Sequence, residues 1–389
     1  MKRAVYLDHQ ATTPTDPRVV EAMLPYFSEH FGNAASRAHA FGWAAEGAVA
    51  EARERVRAAI GAEEAAEVIF TSGATESNNL ALRGVALAYA KTTGASRGHI
   101  ITTSIEHHAV LEPCDALVRE GFSVTQVRVP ANGIVEVAEV ERAFRADTIL
   151  VSVMAANNEV GTLQPISELG ELCRARGAIF HTDAAQALSA VPIQVEQSKL
   201  DLVSLSAHKF YGPKGTGALY VRRHGSPVRL VSQVLGGGHE LGLRAGTLNV
   251  PGIVGMGVAA ELAAAEREEE NQRVRALRDR LWARLSANIS GISVNGELER
   301  RLPGNLNLLI ARVRADALMA ALPLLAISSG AACSSNRPLP SHVLGALGLS
   351  VEDAACSIRL GIGRFTTEED VDLAAERLER GVARLRNGG

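Results

Sequence analysis

The chain has 389 residues, a formal net charge of −3 at pH 7 and a hydrophobic content of 47% with only 4% aromatic residues. This length suffices for a large core and predicts roughly two or three domains. The slightly acidic balance does not favour nucleic acid as a direct partner, and no apolar run is long enough to span a membrane. The four cysteines have no CxxC spacing, so we expect reduced thiols in a cytoplasmic protein, with neither disulfides nor a metal site.

Short apolar runs alternate with helical patterns over the first 258 residues. Helical patterns over 75–90, 107–120 and 166–176 lie between runs that are rich in Val, Ile and Phe. This alternation predicts an α/β fold with a mostly parallel seven-stranded sheet, whose ligands bind beyond the carboxyl ends of the strands. The predicted strands are 67–73, 98–104, 122–129, 148–155, 177–185, 201–209 and 217–223.

The pattern changes after about residue 250, and we place the domain boundary near residue 258. Residues 261–285 are highly charged and predict one long amphipathic helix with a solvated face, and residues 366–386 predict a closing helix. Short apolar runs between them indicate a smaller α+β unit. We therefore expect a large domain over 15–258 and a small domain formed by 1–14 and 259–389.

A glycine turn follows the first strand of the predicted sheet and leads into a helix. The segment Ser72-Gly73-Ala74-Thr75 offers backbone N–H groups and hydroxyls at a helix N-terminus, where phosphate binds readily. The commoner interpretation of such a segment is an ordinary Ser or Thr helix cap. Taken alone, the motif favours the cap.

A carboxylate and an amine follow two later strands. Asp183 ends one apolar run, and Lys209 ends the next run, 26 residues further on. Because that spacing is about one strand-to-strand crossover, both side chains are expected at the same sheet edge. The alternative is a structural salt bridge. His107 and Asn158 also follow predicted strands, where capping and turn formation are their commoner uses.

Together, these groups form the set that pyridoxal phosphate requires. The phosphate needs a helix N-terminus, the ring needs an aromatic cover, and the pyridine nitrogen needs a carboxylate that keeps it protonated. A lysine forms the Schiff base with the cofactor. The sequence therefore predicts a pyridoxal-phosphate enzyme.

The motifs around these residues resemble those of the NifS/IscS-type cysteine desulfurases, in the class V aminotransferase group, and the resemblance implies the pyridoxal-phosphate fold type I. The resemblance runs from "YLDHQATTP" through "FTSGATESNN", "IEHHAVLEPC", "HTDAAQ" and "SAHKFYGPKGTGALYVRR" to "RAGTLNVPG", "SSGAACSS" and "SIRLGIGRFT". It implies a homodimer that removes sulfur from L-cysteine and passes it to an acceptor protein. The opening reads Asp8-His9-Gln10 where family members often have other residues, and we expect this departure to matter little.

The resemblance also implies residue roles. Lys209 would carry the cofactor, His107 would cover the ring and move protons, and Cys333 would accept the sulfur. The phosphate would lie on Ala74, Thr75, Ser206, His208 and, from the second subunit, Thr247. The ring would contact Asp183 and Gln186, and the substrate carboxylate would contact Asn158 and Arg359.

The surroundings of Cys333 set it apart from the other cysteines. Cys114 and Cys173 lie in helical patterns and Cys356 precedes an apolar run, as buried cysteines commonly do. Cys333 lies among small, polar, turn-forming residues, where a thiol is accessible. Two other functions remain open: a selenocysteine lyase or small-amino-acid aminotransferase, and an inactive adaptor protein. The acceptor could serve iron–sulfur cluster assembly, transfer-RNA thiolation or DNA phosphorothioation.

Overall fold

A computed structural model describes residues 3–94, 98–329 and 341–387, and Cys333 lies outside these ranges. The strands are β1 Val5–Tyr6, β2 Val68–Thr71, β3 His99–Thr103, β4 Ser123–Val127, β5 Thr148–Ser152, β6 Ile179–Asp183, β7 Leu202–Ser206, β8 Gly217–Val221, β9 Ile292–Val294, β10 Asn305–Ile310, β11 Leu325–Ala326, β12 Ser328–Ser329 and β13 Ser357–Gly361. The helices are α1 Pro17–Met23, α2 Pro25–Ser28, α3 Ala40–Ile60, α4 Ala74–Thr93, α5 His108–Arg119, α6 Val137–Ala143, α7 Ile166–Arg176, α8 Val250–Ala265, α9 Arg267–Asn288, α10 Ala315–Ala321, α11 His342–Ala346, α12 Val351–Ala355 and α13 Glu368–Asn387.

The predicted central sheet is confirmed. Within the described residues it has seven strands in the order β2-β8-β7-β6-β5-β3-β4. The strands from β7 to β4 pair in parallel, whereas β8 is antiparallel to both of its neighbours. The connection from β7 to β8 is too short for a parallel crossover, so the chain turns back directly. The mostly parallel fold brings several strand ends to one edge.

The strands β6 and β7 are neighbours, as the spacing of Asp183 and Lys209 predicts. Asp183 at the end of β6 pairs in register with Ser204 of β7. Lys209 follows β7 directly, in a single turn of 3₁₀ helix over Ala207–Lys209. The carboxylate and the amine therefore belong to adjacent strand ends at one edge of the sheet.

A second apolar core lies around a four-stranded antiparallel sheet in the order β12-β13-β10-β9. Val5 and Leu7 from the N-terminal segment pack in this core with residues of α9, β10, β13 and α13. This grouping favours the division into 15–258 and 1–14 with 259–389, which stays a prediction. However, α8 packs in the core of the large sheet up to Ala263, so the change of core comes nearer to residue 266.

The single long helix predicted over 261–285 is wrong. The chain forms α8 and α9, with Glu266 between them at φ −97° and ψ −1°. The reason is that the two helices pack in different cores: α8 packs mainly on α3 and α1, and α9 packs on α13. Glu266 accepts hydrogen bonds from Arg18 at the break. The charges of this region therefore belong to α9, while α8 is nearly all apolar.

Glu106 connects two strand ends beneath the candidate site. Its side chain is fully buried and accepts hydrogen bonds from Thr103 Oγ1, at the end of β3, and from the Met154 N–H, just beyond β5. Burial raises the pKa of this carboxyl to about 8. The folded protein therefore holds a proton at Glu106 that an unfolded chain would lose near pH 4.5.

This proton makes stability depend on pH. Because the folded-state pKa is raised, the free energy of unfolding should fall as pH rises from about 4.5 to about 8, by at most about 1.4 kcal/mol per pH unit from this group. We expect Glu106→Gln to remove that decline. Urea unfolding at several pH values measures it, and an unchanged slope in the variant would contradict a protonated Glu106.

Gly217 allows the glycine turn of the candidate site to pack closely on β8. A Cβ atom at Gly217 would lie 2.5 Å from Gly73 Cα and 2.6 Å from the Leu205 carbonyl oxygen, both of them backbone atoms. We expect Gly217→Ala to lower the free energy of unfolding by about 1–3 kcal/mol. In Gly47→Ala, the matched control within α3, the new Cβ meets nothing within 4 Å. That variant should gain about 0.5–1 kcal/mol from helix propensity, and equal losses in both variants would refute the close contact.

Candidate active site

A cleft of about 290 Å³ lies where the parallel strands end. Its walls come from residues that follow β3, β5, β6 and β7, together with the N-terminal segment and β13. Most of the predicted site residues meet in it. Those that line the cleft are Ala74, His107, Asn158, Asp183, Gln186, Ser206, His208, Lys209 and Arg359.

The amine of Lys209 lies against the N-terminal segment. Its Nζ donates to the carbonyl oxygens of Gln10, at 2.6 Å, and Ala11, at 2.8 Å. The Gln186 side chain donates to the same Gln10 carbonyl at 2.8 Å. These acceptors are backbone atoms of the N-terminal segment, and they hold the amine in the cleft.

Asp183 is buried and held by two donors. Its Oδ1 accepts from the Ala185 N–H at 2.9 Å, and its Oδ2 accepts from the Asn78 side-chain amide at 2.7 Å. Asn78 lies on α4, one helical turn after Ala74, so both residues point from the same helix face into the cleft. The contacts orient the carboxylate, and each oxygen keeps capacity for another donor.

His107 lies at the start of α5. Its Nδ1 accepts from the Ala109 N–H at 3.0 Å, which leaves a ring proton at Nε2. Burial lowers the pKa of the imidazole, although the negative charge of Asp183 opposes this effect. A neutral ring in this position can cover a flat cofactor and donate a hydrogen bond from Nε2.

The turn before α4 does not have the ordinary Ser or Thr cap that the motif alone favoured. The N-cap is Gly73, at φ 151° and ψ 176°, and no side chain caps the helix. Only glycine adopts this backbone conformation readily. The first turn of α4 therefore has no side-chain cap, and its Ala74 lines the cleft together with Ser206 and His208, an arrangement that suits a phosphate.

The groups near this turn differ in their access to the cleft. Burial, with the charge of Lys209, lowers the pKa of His208 to about 4, so its imidazole is neutral and can donate or accept. Its Nδ1 is within hydrogen-bond distance of Thr12 Oγ1, at 3.0 Å. Thr75 and Thr247 are exposed and do not line the cleft of their own subunit.

Arg359 brings a buried positive charge to the opposite end. One guanidinium NH₂ group donates to Asp8 Oδ1 at 2.8 Å, and the other donates to the Asn158 carbonyl oxygen at 2.9 Å. Its Nε has no hydrogen-bond partner among the described residues. The guanidinium is planar and has an N–H donor that no described residue uses, so it can bind a carboxylate.

The described cysteines are unsuited to nucleophilic chemistry. Cys114, Cys173 and Cys356 are free and buried. Burial raises the pKa of each thiol, to about 12 for Cys114. Since the thiolate is the nucleophile, these three sulfurs are inert at neutral pH.

The residues of the cleft fit pyridoxal phosphate. A neutral imidazole, an oriented carboxylate, a lysine and an open helix N-terminus lie together in it. Residues with buried polar atoms that lack a hydrogen-bond partner among the described residues line the same space, such as Gln10 with Oε1 and Asn78 with Oδ1.

Among the described residues, no group of three or more His, Cys, Asp and Glu could hold a metal ion. No helix in the described ranges has the length and apolar character that a membrane crossing requires.

Sequence reasoning missed several groups that line the cleft. Asp8, Gln10, Ala11 and Ser328 enter from the N-terminal segment and the second sheet, far away in sequence. No spacing rule could have placed them there. Asn78 had a signal, because it lies one helical turn beyond Ala74 in "GATESNN".

Comparisons with known proteins agree with this geometry. The chain is 54% identical over 386 residues to "Cysteine desulfurase IscS" of Anaeromyxobacter dehalogenans (strain 2CP-C). The aligned region covers 99% of this chain and 94% of that protein. The solved structure of a "NifS-like protein" superposes with a TM-score of 0.90 at 38% identity, covering 98% and 99% of the two chains. A structure titled "SspA in complex with cysteine" superposes with a TM-score of 0.81 at 37% identity, covering 93% and 100%.

These matches confirm the expected resemblance and the fold type I architecture. The family model that describes "Aminotransferase class-V" matches residues 5–373, which is nearly the whole chain and includes every predicted site residue. The chain therefore belongs to the class V aminotransferase family.

Proposed function

We propose that this protein is a pyridoxal-phosphate-dependent cysteine desulfurase, which converts L-cysteine into L-alanine and a persulfide on Cys333. The observation that carries the proposal is the meeting of Lys209, Asp183 and His107 in one cleft with a buried arginine. The IscS and NifS-like names of its relatives support the reaction class.

The roles of the cleft residues follow from their contacts. Bound pyridoxal phosphate supplies an electron sink for the bonds at the substrate α-carbon. Asp183, held by Asn78 and Ala185, would bind the ring nitrogen, and His107 would cover the ring and move protons. The Lys209 amine holds the cofactor and serves as a second proton carrier.

The substrate carboxylate binds at the Arg359 end of the cleft. The guanidinium lies beside Asn158, whose side chain also lines the space. An α-carboxylate held there places the α-carbon toward His107 and Lys209. This orientation lets the two bases reach the bonds that change.

Cys333 accepts the sulfur in this proposal. Its thiolate attacks the sulfur of the bound substrate, the carbon–sulfur bond breaks, and a sulfur–sulfur bond forms. The carbon that loses sulfur gains a hydrogen, so alanine leaves and no outside oxidant or reductant is required. The inert character of the other three cysteines supports Cys333 by contrast.

A homodimer with shared sites is the second part of the proposal. Thr247 is exposed in its own subunit, and Arg244, three residues earlier, pairs with Glu76 in the first turn of α4 at 2.9 Å. Large apolar side chains are exposed on the same subunit, including Phe31, Phe41 and Leu235, at 65%, 55% and 86%. A second copy that covers such side chains would bring Thr247 to the partner's phosphate.

The destination of the sulfur follows from the reaction class. A persulfide is a carrier, so a cytoplasmic acceptor protein takes the sulfur for iron–sulfur cluster assembly, transfer-RNA thiolation or DNA phosphorothioation.

Cys333→Ser tests the reaction. The variant should keep the bound cofactor and its colour but lose nearly all alanine release, because a hydroxyl is a much weaker nucleophile toward sulfur. Mass spectrometry after cysteine treatment should find the sulfur adduct on Cys333 of the wild type alone. Serine at Cys114, Cys173 or Cys356 should cost about 1–2 kcal/mol of stability and keep the activity. An active Cys333→Ser enzyme, or keto acid in place of alanine, would reject the proposal.

Mixed dimers test the shared sites. Lys209→Ala subunits should be inactive, and Thr247→Ala subunits should bind phosphate poorly. A dimer of one of each contains one site with neither change, so activity should return on mixing. If subunit exchange is proven and activity stays at the level of the Thr247→Ala dimer, Thr247 serves its own subunit.

A further inference from the structure

The buried guanidinium of Arg359 is positively charged and requires a counterion. Its side chain is about 5% exposed, and an unpaired charge at that depth is strongly unfavourable. Of its five N–H donors, two are used among the described residues, by Asp8 and by the Asn158 carbonyl. Asp8 is therefore its direct counterion, and donors remain for a ligand.

Asp8 is fixed by the backbone around it. Gly361 of β13 donates its N–H to the Leu7 carbonyl oxygen at 2.7 Å, and its own carbonyl oxygen accepts from the His9 N–H at 3.3 Å. A Cβ at Gly361 would lie 2.0 Å from Gln10 Oε1 and 2.8 Å from the His9 nitrogen, so only glycine permits this approach. The N-terminal segment is thereby held against the strand that carries Arg359.

The second oxygen of Asp8 is also occupied. Ser328 Oγ donates to Asp8 Oδ2 at 2.8 Å, and Ser328 pairs in register with Arg359 across β12 and β13. Asp8 thus bridges two residues that are already cross-strand neighbours. With one oxygen on each, the carboxylate has little freedom to rotate.

Another carboxyl near Arg359 does not provide the counterion. Glu159 is buried, and its Oε2 accepts a hydrogen bond from Ser341 rather than from the guanidinium. Burial raises the pKa of Glu159 to about 7 even though the charge of Arg359 opposes this effect. Asp8, which contacts the guanidinium directly at 2.8 Å, is therefore the counterion.

We propose that Asp8 is a positioning residue, which orients the Arg359 guanidinium and thereby gives the cleft its preference for amines that carry an α-carboxylate. The proposal rests on the function proposed above, because it deepens the role of Arg359 there. Without Asp8, the buried arginine loses both its counterion and its fixed orientation. Its N–H donors are then no longer aligned to bind a carboxylate.

The test compares two ligands that differ only in the carboxylate. L-alanine and ethylamine are titrated into the holoenzyme, and the absorbance of the bound cofactor reports binding without turnover. In Asp8→Ala, the Kd of L-alanine should rise on the order of 10- to 100-fold, while the Kd of ethylamine changes little. The KM of L-cysteine should rise in parallel, and kcat should change less.

Asp16→Ala is the matched control. Asp16 is another buried carboxylate of the N-terminal segment, and it pairs with Arg364 at 2.8 Å outside the cleft. This variant should lose stability without a selective loss of L-alanine binding. If Asp8→Ala does not fold, Asp8→Asn keeps the volume, removes the charge and should show a selective loss of the same sign.

The outcomes separate this proposal from the general function. Equal weakening of both ligands in the Asp8 variant, or no weakening, would overturn the positioning role, and so would the same selective loss in Asp16→Ala. A wild-type enzyme that releases no alanine from L-cysteine would overturn the proposed function instead. The ligand preference of the cleft would still be measured in that case.

Discussion

The pairing of β6 with β7 is the constraint on which the site depends. Parallel pairing puts the ends of both strands at one edge, so Asp183 and Lys209 are neighbours although 26 residues separate them. The ends of β3 and β5 meet at the same edge, where Glu106 ties them together beneath His107. A shift of one residue in this register would turn these side chains away from the cleft.

The N-terminal segment connects the two cores through this edge. Leu7 packs in the core of the small sheet, whereas the carbonyls of Gln10 and Ala11 accept from Lys209 beyond the large sheet. Asp8 lies between them and contacts Arg359. One short stretch of the N-terminal segment therefore contacts both Lys209 and Arg359.

Burial in the protein interior shifts the pKa of several titratable groups towards their neutral forms. Burial raises the pKa of the Glu106 carboxyl and of the Cys114 thiol, and it lowers the pKa of the His107 and His208 rings. All four groups are consequently neutral near pH 7. The charges that persist at the cleft are held by specific partners, such as Asp8 on Arg359.

The sequence by itself determined the α/β class, the seven strands, and the cleft residues that end those strands, because hydrophobic periodicity and strand-end polarity are local signals. It could not determine the break at Glu266, since a charged helix and an apolar helix read as one periodic segment until their different cores are known. Nor could it assign a role to Asp8, whose partner Arg359 is 351 residues away. Only the tertiary structure decides which distant carboxylate balances a buried arginine, because that choice depends on how the N-terminal segment lies against β13.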